Sequence, residues 1–247
     1  MNKTTSQVTC LITGASSGIG RAIALRLIER GERVICTARD LERLRATFAQ
    51  HAERAYCVAL DVTDGRAVAG FLDNLPDPWR HVDVVIANAG SDIGGRREFL
   101  AGDADDWATT IDTNVNGVMR VCHAVLPGMV ERGRGHVVTL GSTAGLKTYI
   151  GGVAYAASKF AVRAFTDALR LEFKHSPIRI TEILPGTART GFAEARHRGD
   201  SARADAFYDG LPDAMTAEDV ASAVMFALDQ PPGVNIAQIL LTPTLDK

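Results

Sequence analysis

The chain has 247 residues, of which 46% are hydrophobic and 23% charged, and its formal net charge is −2. This length suits one large α/β domain, and the interspersed charges offer no basis for binding nucleic acid or an anionic membrane. The start of the chain lacks the apolar core of a signal peptide, and no apolar run reaches membrane-spanning length, so we expect a cytoplasmic protein. Neither the four cysteines nor the histidines have metal-ligand spacing, so no metal site is predicted.

Apolar runs of strand length alternate with helical patterns along the chain. Seven strands are predicted, at residues 8–13, 33–37, 55–60, 82–87, 135–141, 178–184 and 237–241. Helices are predicted near residues 21–30, 40–51, 63–74, 103–132, 155–175 and 216–229, with Asp40 and Thr63 as N-caps. The alternation predicts one α/β domain over residues 1–247. We expect a Rossmann-like, doubly wound parallel sheet of about seven strands flanked by helices, with its ligand crevice at the carboxyl ends of the strands.

A glycine-rich turn connects the first predicted strand to the first helix. This arrangement places a pyrophosphate on backbone N–H groups at a helix N-terminus, although the glycine spacing is a variant of the usual dinucleotide fingerprint. Taken alone, the turn is equally consistent with a plain tight turn. The candidate cofactor residues here are Gly14, Ser16, Ser17, Gly18, Ile19 and Gly20.

The residues that end the second strand bear on the choice of cofactor. Arg39 can hold a 2′-phosphate in its guanidinium fork, which favours NADP. Asp40 would instead bind a ribose hydroxyl if the register shifted by one residue, which would favour NAD. We prefer Asp40 as the N-cap of the helix that follows, and therefore NADP (NADPH) as the cofactor.

A hydroxyl, a phenol and an ammonium group occur at a spacing suited to proton transfer. Ser142 follows a predicted strand, and Tyr155 and Lys159 lie one helical turn apart on one face. A cation beside a phenol favours the phenolate and lowers its pKa, while Ser142 binds the substrate oxygen. A Tyr-x-x-x-Lys pair by itself is common in helices, so this prediction depends on the glycine-rich turn that precedes it.

With these motifs the chain resembles the short-chain dehydrogenase/reductase family over nearly its whole length. More narrowly, it resembles the NADP-dependent serine 3-dehydrogenases and related 3-hydroxy acid dehydrogenases. The resemblance implies a catalytic tetrad of Asn114, Ser142, Tyr155 and Lys159, with Asn114 holding a water that links Lys159 to solvent. It also implies a homo-oligomer, a tetramer or dimer. Further cofactor contacts that it implies are Asp61, Val62, Asn88, Ala89, Gly90, Tyr155, Lys159, Pro185, Gly186 and Thr190.

Substrate preference is expected to depend on the polar segment 187–211, where the family places a mobile lid. The candidate substrate residues are Ser142, Tyr149, Arg163 and Arg189, and an arginine in a closing lid would bind a substrate carboxylate. Two arginines in the loop 91–97 and the short C-terminal ending depart from the narrower resemblance. That ending is more similar to aldehyde reductases of clavulanate-type pathways.

Three functions follow from these features. The first is NADP-dependent hydride transfer involving a small hydroxy acid, serine-like or a 3-hydroxy acid, or its carbonyl counterpart. The second is NADPH-dependent reduction of an aldehyde or ketone in a specialised-metabolite pathway. The third, a sensor or scaffold that binds NADP without turnover, has no need for Tyr155 and Lys159 together.

Overall fold

The computed structural model describes residues 7–211 and 213–245. The predicted domain extends beyond these limits at both ends, and Pro212 within it also lies outside the described residues. The start of the chain, where we predicted no signal peptide, falls in residues 1–6, and the short C-terminal ending includes residues 246–247.

Parallel strands form the centre of the molecule. In chain order the strands are β1 (Thr9–Thr13), β2 (Arg33–Ala38), β3 (Ala55–Ala59), β4 (Val84–Ala87), β5 (Gly135–Leu140), β6 (Ile178–Pro185), β7 (Ala188–Arg189), β8 (Met215–Thr216) and β9 (Gln238–Leu241). Seven of them make one parallel sheet in the order β3-β2-β1-β4-β5-β6-β9, and β7 pairs with β8. The predicted doubly wound, Rossmann-like sheet of seven strands is confirmed, whereas the small sheet of β7 and β8 was not predicted.

Helices cover both faces of the sheet. They are α1 (Gly18–Glu29), α2 (Leu41–Thr47), α3 (Gly65–Gly70), α4 (Ala104–Ile111), α5 (Gly117–Glu131), α6 (Val153–Glu172), α7 (Phe192–Arg196), α8 (Ser201–Asp209) and α9 (Ala217–Leu228). Alternate residues of a strand point to opposite faces. Cys10 and Ile12 accordingly pack in the core under α1 and α9, while Leu11 packs in the core under α5. None of the described helices is long and apolar enough to cross a bilayer.

The sheet order reverses between β1 and β4, which creates a crevice where these two strands end. Side chains join the two ends. The amides of Asn88 and Ala89 donate to the Thr13 hydroxyl at 3.1 and 3.0 Å, and Nδ2 of Asn88 donates to the Thr13 carbonyl at 2.8 Å. The loops that follow both strands are therefore held at the same edge of the sheet.

Two N-caps were predicted, and one of them is right. Asp40 caps α2, because its carboxylate accepts a hydrogen bond from the amide of Arg43 at 2.9 Å. The prediction of Thr63 was wrong: Asp64 caps α3. The physical reason is that Thr63 is bonded to Asp61 instead of to the helix: its amide and its hydroxyl both donate to the Asp61 carboxylate, at 2.9 and 2.7 Å.

The long helix predicted over residues 103–132 is interrupted. A turn of π-helix at Asp112–Asn116 separates α4 from α5 and carries Asn114. Turns of this kind are frequent at functional sites.

The predicted lid segment, 187–211, contains regular structure that was not predicted. It includes β7, α7 and α8. The Tyr208 hydroxyl on α8 contacts the Ala188 and Thr190 carbonyl oxygens at 3.1 and 3.0 Å and the Thr190 amide at 3.1 Å. One phenol thus ties α8 to the chain that leaves the sheet.

Candidate active site

A cleft of about 770 Å³ runs along the carboxyl ends of the strands. This volume lies within the ~300–1,000 Å³ range of small-molecule sites. The glycine-rich turn lines one part of it, and Tyr149, Tyr155 and the segment 187–211 line another. All the candidate cofactor residues border the cleft except Gly20, which is packed behind the turn.

Glycine is required at two positions of this turn for different reasons. Gly18 has φ of +53°, in the left-handed region that other residues rarely adopt. A Cβ at Gly20 would overlap the carbonyl oxygen of Gly14 and lie 2.5 Å from Nδ2 of Asn88. The turn can therefore fold tightly against β4 and leave the start of α1 facing the cleft.

At the end of β2, Arg39 lines the cleft. Asp40 is committed to capping α2, as described above. Asp61 lies nearby at the cleft wall; burial raises the pKa of its carboxyl, but hydrogen bonds from Thr63 and the charge of Arg39 outweigh burial and leave that pKa below its usual value. The arrangement leaves the Arg39 guanidinium available to an anionic ligand.

The strand end of β5 and the helix α6 bring Ser142, Tyr155 and Lys159 to the same cleft. The Ser142 side chain lies beside the Tyr155 phenol, and its Oγ accepts a hydrogen bond from the Ala144 amide at 3.1 Å. Nζ of Lys159 donates to the carbonyl oxygen of Leu140 at 2.7 Å and lies 5.7 Å from the centroid of the Tyr155 ring. Strand β5 thus positions Ser142 directly and anchors the lysine through Leu140.

The acidity of Tyr155 differs from the expectation. We predicted that Lys159 lowers the pKa of the phenol, but burial raises that pKa above its usual value of 10.0. The neighbouring Ser142 side chain is the strongest influence on the pKa in the opposite direction. Nζ of Lys159 donates to the Leu140 carbonyl and lies 5.7 Å from the centroid of the Tyr155 ring, and its charge does not offset the effect of burial on the phenol.

Lys159 itself is 6% exposed, and burial lowers the pKa of its amine to about 8, a shift that the nearby Glu182 opposes. Since the usual value is 10.5, the unfolded chain binds more protons than the native protein between about pH 8 and 10.5. The resulting destabilisation of the native protein, roughly 3 kcal/mol, is fully present below pH 8 and disappears as the pH rises through that window.

We expect Lys159→Met to unfold at higher urea concentration than the wild type at pH 7 when cofactor is absent. The difference in free energy of unfolding should shrink toward pH 10, and a constant difference would contradict the assignment.

Asn114 lies behind the cleft wall and is 1% exposed. Its Nδ2 donates to the Ser91 carbonyl and to Oγ of Ser158 at 2.8 and 2.9 Å, while its Oδ1 accepts from the Ser91 amide at 2.7 Å. The side-chain amide therefore joins the π-helical turn to the loop after β4 and to α6.

The four candidate substrate residues do not lie together. Ser142 and Tyr149 line the cleft, but Arg163 and Arg189 are absent from its lining. Arg189 donates to the backbone oxygen of Tyr208 at 3.0 Å and stacks on that ring. Arg163 lies near the buried carboxyl of Glu182. Neither guanidinium group therefore lines the substrate end of the cleft.

Other side chains occupy the substrate end of the cleft in their place. Arg96 follows β4 in the loop 91–97, and Arg196 ends α7. Phe192 and Phe207 bring two aromatic rings from the lid segment. The sequence carried a signal for Arg96, which is one of the two unexpected arginines in its loop, but no pattern marked the two phenylalanines.

The Arg196 guanidinium is balanced by Asp92, and the two residues are 7% and 6% exposed. Nε of Arg196 lies 2.8 Å from Oδ2 of Asp92, an ion-pair contact in which the N–H does not point at that oxygen. The guanidinium carbon also lies 5.2 Å from the ring centroids of both Phe192 and Phe207. The loop after β4 and the lid segment are thereby joined by a buried pair of charges.

Comparison with known proteins identifies the family. The family model for short chain dehydrogenases matches residues 8–200, and the chain belongs to this family. The NADP-dependent 3-hydroxy acid dehydrogenase YdfG of Salmonella typhi is 40% identical over 94% of each chain. Sulfoacetaldehyde reductase 2 of Chromohalobacter salexigens is also 40% identical, over 95% of this chain and 93% of the relative. A solved structure, the closed form of serine dehydrogenase complexed with NADP⁺, superposes with a TM-score of 0.91 at 38% identity, covering 95% and 94% of the two chains.

Proposed function

We propose that the protein catalyses NADP-dependent hydride transfer involving a small hydroxy acid or the matching carbonyl compound. It is an oxidoreductase of the short-chain dehydrogenase family, and NADP is its cofactor. The observation that carries the proposal is the shared cleft, in which the neighbouring Ser142 and Tyr155 face a substrate end lined by Arg96. The homo-oligomer implied by the family resemblance stays a prediction.

The residues of the cleft fit a dinucleotide that carries a 2′-phosphate. The tight turn through Gly18 and Gly20 presents the start of α1, where backbone N–H groups suit a pyrophosphate. Arg39 offers a planar fork to the 2′-phosphate, while Asp40 is occupied as an N-cap. When bound, the nicotinamide supplies the hydride in reduction and accepts it in oxidation.

Proton transfer is assigned to Tyr155. In oxidation its phenolate takes the alcohol proton, and in reduction its hydroxyl returns a proton to the carbonyl oxygen. Ser142 donates a hydrogen bond to the same substrate oxygen, where negative charge develops. Lys159 holds a positive charge near the phenol. Asn114 holds its own segment in place, and the family resemblance implies that a water at this segment links Lys159 to solvent. The segment 187–211 closes over the substrate as a lid in this scheme.

Two relatives indicate the size and charge of the substrate. YdfG is named for 3-hydroxy acids and the superposed structure for serine, and both kinds of molecule carry a carboxylate close to the reacting alcohol. A second candidate function is reduction of a small anionic aldehyde, which the 40% identity to a sulfoacetaldehyde reductase favours. The two candidates share the site and differ in the physiological direction.

Initial rates at 340 nm test the proposal. We expect NADP⁺-linked oxidation of 3-hydroxypropionate, 3-hydroxyisobutyrate or serine, with NAD⁺ much poorer. Arg39→Gln should raise the KM for NADP⁺ about 10- to 100-fold by removing a charged hydrogen-bond donor, and should leave the KM for NAD⁺ nearly unchanged. Reduction of aldehydes without any oxidation of hydroxy acids would favour the second candidate. No turnover in either direction would contradict both.

A further inference from the structure

The cationic side chains around the substrate end of the cleft differ in whether their charge is already matched. In the lid segment, Arg196 lines the cleft and pairs with Asp92, whereas Arg198 does not line it and pairs with Asp106 at 2.6 Å. For Arg96 the described part of the chain provides no carboxylate within 4.0 Å, although its guanidinium borders the cleft. Its charge is therefore available to a ligand.

Aromatic rings hold the Arg96 guanidinium in place. Its central carbon lies 4.6 Å from the centroid of the Tyr149 ring and 5.6 Å from that of Phe207. Stacking on ring faces restrains the plane of a guanidinium and leaves its N–H edge free for paired hydrogen bonds. A planar acid group is the ligand that such a fork fits best.

The backbone beneath Arg96 is fixed from two sides. The amide of the next residue, Arg97, donates to the carbonyl oxygen of Gly151 at 3.2 Å. A Cβ at Gly151 would lie 3.3 Å from Cβ of Arg96, so this close approach depends on a glycine. Further back in the loop, the Ser91 backbone is bonded to Asn114. The loop that carries Arg96 is thus anchored next to the proposed catalytic residues.

We propose that Arg96 determines substrate specificity by binding the acid group of the substrate, a carboxylate or a sulfonate, while the alcohol or carbonyl faces Ser142 and Tyr155. This inference rests on the proposed function. It assigns the binding of the substrate's acid group to the loop after β4, whereas we predicted that role for an arginine of the lid segment. A single unmatched guanidinium suits a single negative charge, because the second arginine of this region is neutralised by Asp92.

Three glutamine variants test the assignment. Arg96→Gln removes the charge that we propose binds substrate. Arg97→Gln removes the adjacent charge, which does not line the cleft, and Lys147→Gln removes a cation that does line it. Each is assayed with 3-hydroxypropionate and with 1,3-propanediol, in which the carboxylate is replaced by a neutral CH₂OH group.

We expect Arg96→Gln to raise the KM for 3-hydroxypropionate about 10- to 100-fold, with kcat/KM for the diol nearly unchanged, since a charged hydrogen-bonded pair is lost only with the acid. The two control variants should behave like the wild type. An equal loss on both substrates, or a larger effect from Lys147→Gln, would overturn the assignment.

Calorimetric titration of propionate and of ethanesulfonate, with and without NADP⁺, separates this inference from the proposed function. Weaker binding of either anion to Arg96→Gln than to the wild type supports the anion site even if no hydroxy acid is oxidised. The anion that binds more tightly distinguishes carboxylate from sulfonate substrates. Turnover of hydroxy acids together with unchanged anion binding in Arg96→Gln would leave the proposed function standing and refute the role of Arg96.

Discussion

Replacing Tyr155 with phenylalanine is expected to lower kcat by about 10²- to 10⁴-fold, the usual contribution of a positioned general acid or base. The change removes only the phenol oxygen, which lies beside Ser142 and is the atom assigned to proton transfer. The ring remains and keeps its contact with Phe192, at 5.6 Å between centroids. Activity should therefore fall without loss of the fold, as checked by initial rates and by thermal unfolding.

Tyr149→Phe is the matched control for this variant. It also removes a phenol oxygen from the cleft, but it keeps the ring face on which Arg96 stacks. We expect its kcat to stay within a few-fold of the wild type. Titration of NADPH fluorescence should give similar affinities for both variants. Full activity in Tyr155→Phe would show that another group moves the proton and would contradict the assignment of Tyr155.

The sheet could be predicted because its strands are buried on both faces and therefore appear in the sequence as continuous apolar runs. The glycine-rich turn could be predicted because backbone geometry at Gly18 and close packing at Gly20 leave few other residue types possible. The roles of Arg39 and Asp40 could be distinguished for a similar reason. A helix needs an N-cap at its first turn, and the Asp40 carboxylate that caps α2 is not available to bind a ribose hydroxyl.

Features that depend on distant contacts could not be predicted in this way. The π-helical turn at Asp112–Asn116 has an ordinary helical sequence, and the amide of Asn114 is bonded to Ser91 and Ser158, which lie 23 and 44 residues away. The helices α7 and α8 are short, so their positions depend on contacts made by a few aromatic rings. The arginines illustrate the same limit, because Arg189 is turned toward the Tyr208 backbone and Arg96 is turned toward the cleft by contacts that the sequence does not show.

Asp92→Asn is expected to destabilise the native protein by about 3–5 kcal/mol, because it leaves the buried guanidinium of Arg196 without a counter-charge. Asp106→Asn, which breaks the pair with Arg198, should cost only about 0–1 kcal/mol, since the side chain of Arg198 is 66% exposed. Urea denaturation of both variants measures the contrast. Equal small losses would show that water or another group compensates Arg196.

The double variant Asp92→Asn/Arg196→Met shows whether the ion pair of these two residues mainly stabilises the protein or mainly holds the lid segment in position. Methionine removes the unmatched charge and fills the space between Phe192 and Phe207 with apolar atoms, so much of the lost stability should return. Recovery of stability without recovery of kcat/KM would mean that the charged pair is needed to hold α7 against the loop after β4. Recovery of both stability and kcat/KM would mean that the pair contributes only packing. The substrate end of the cleft would then depend on the aromatic rings and Arg96 alone.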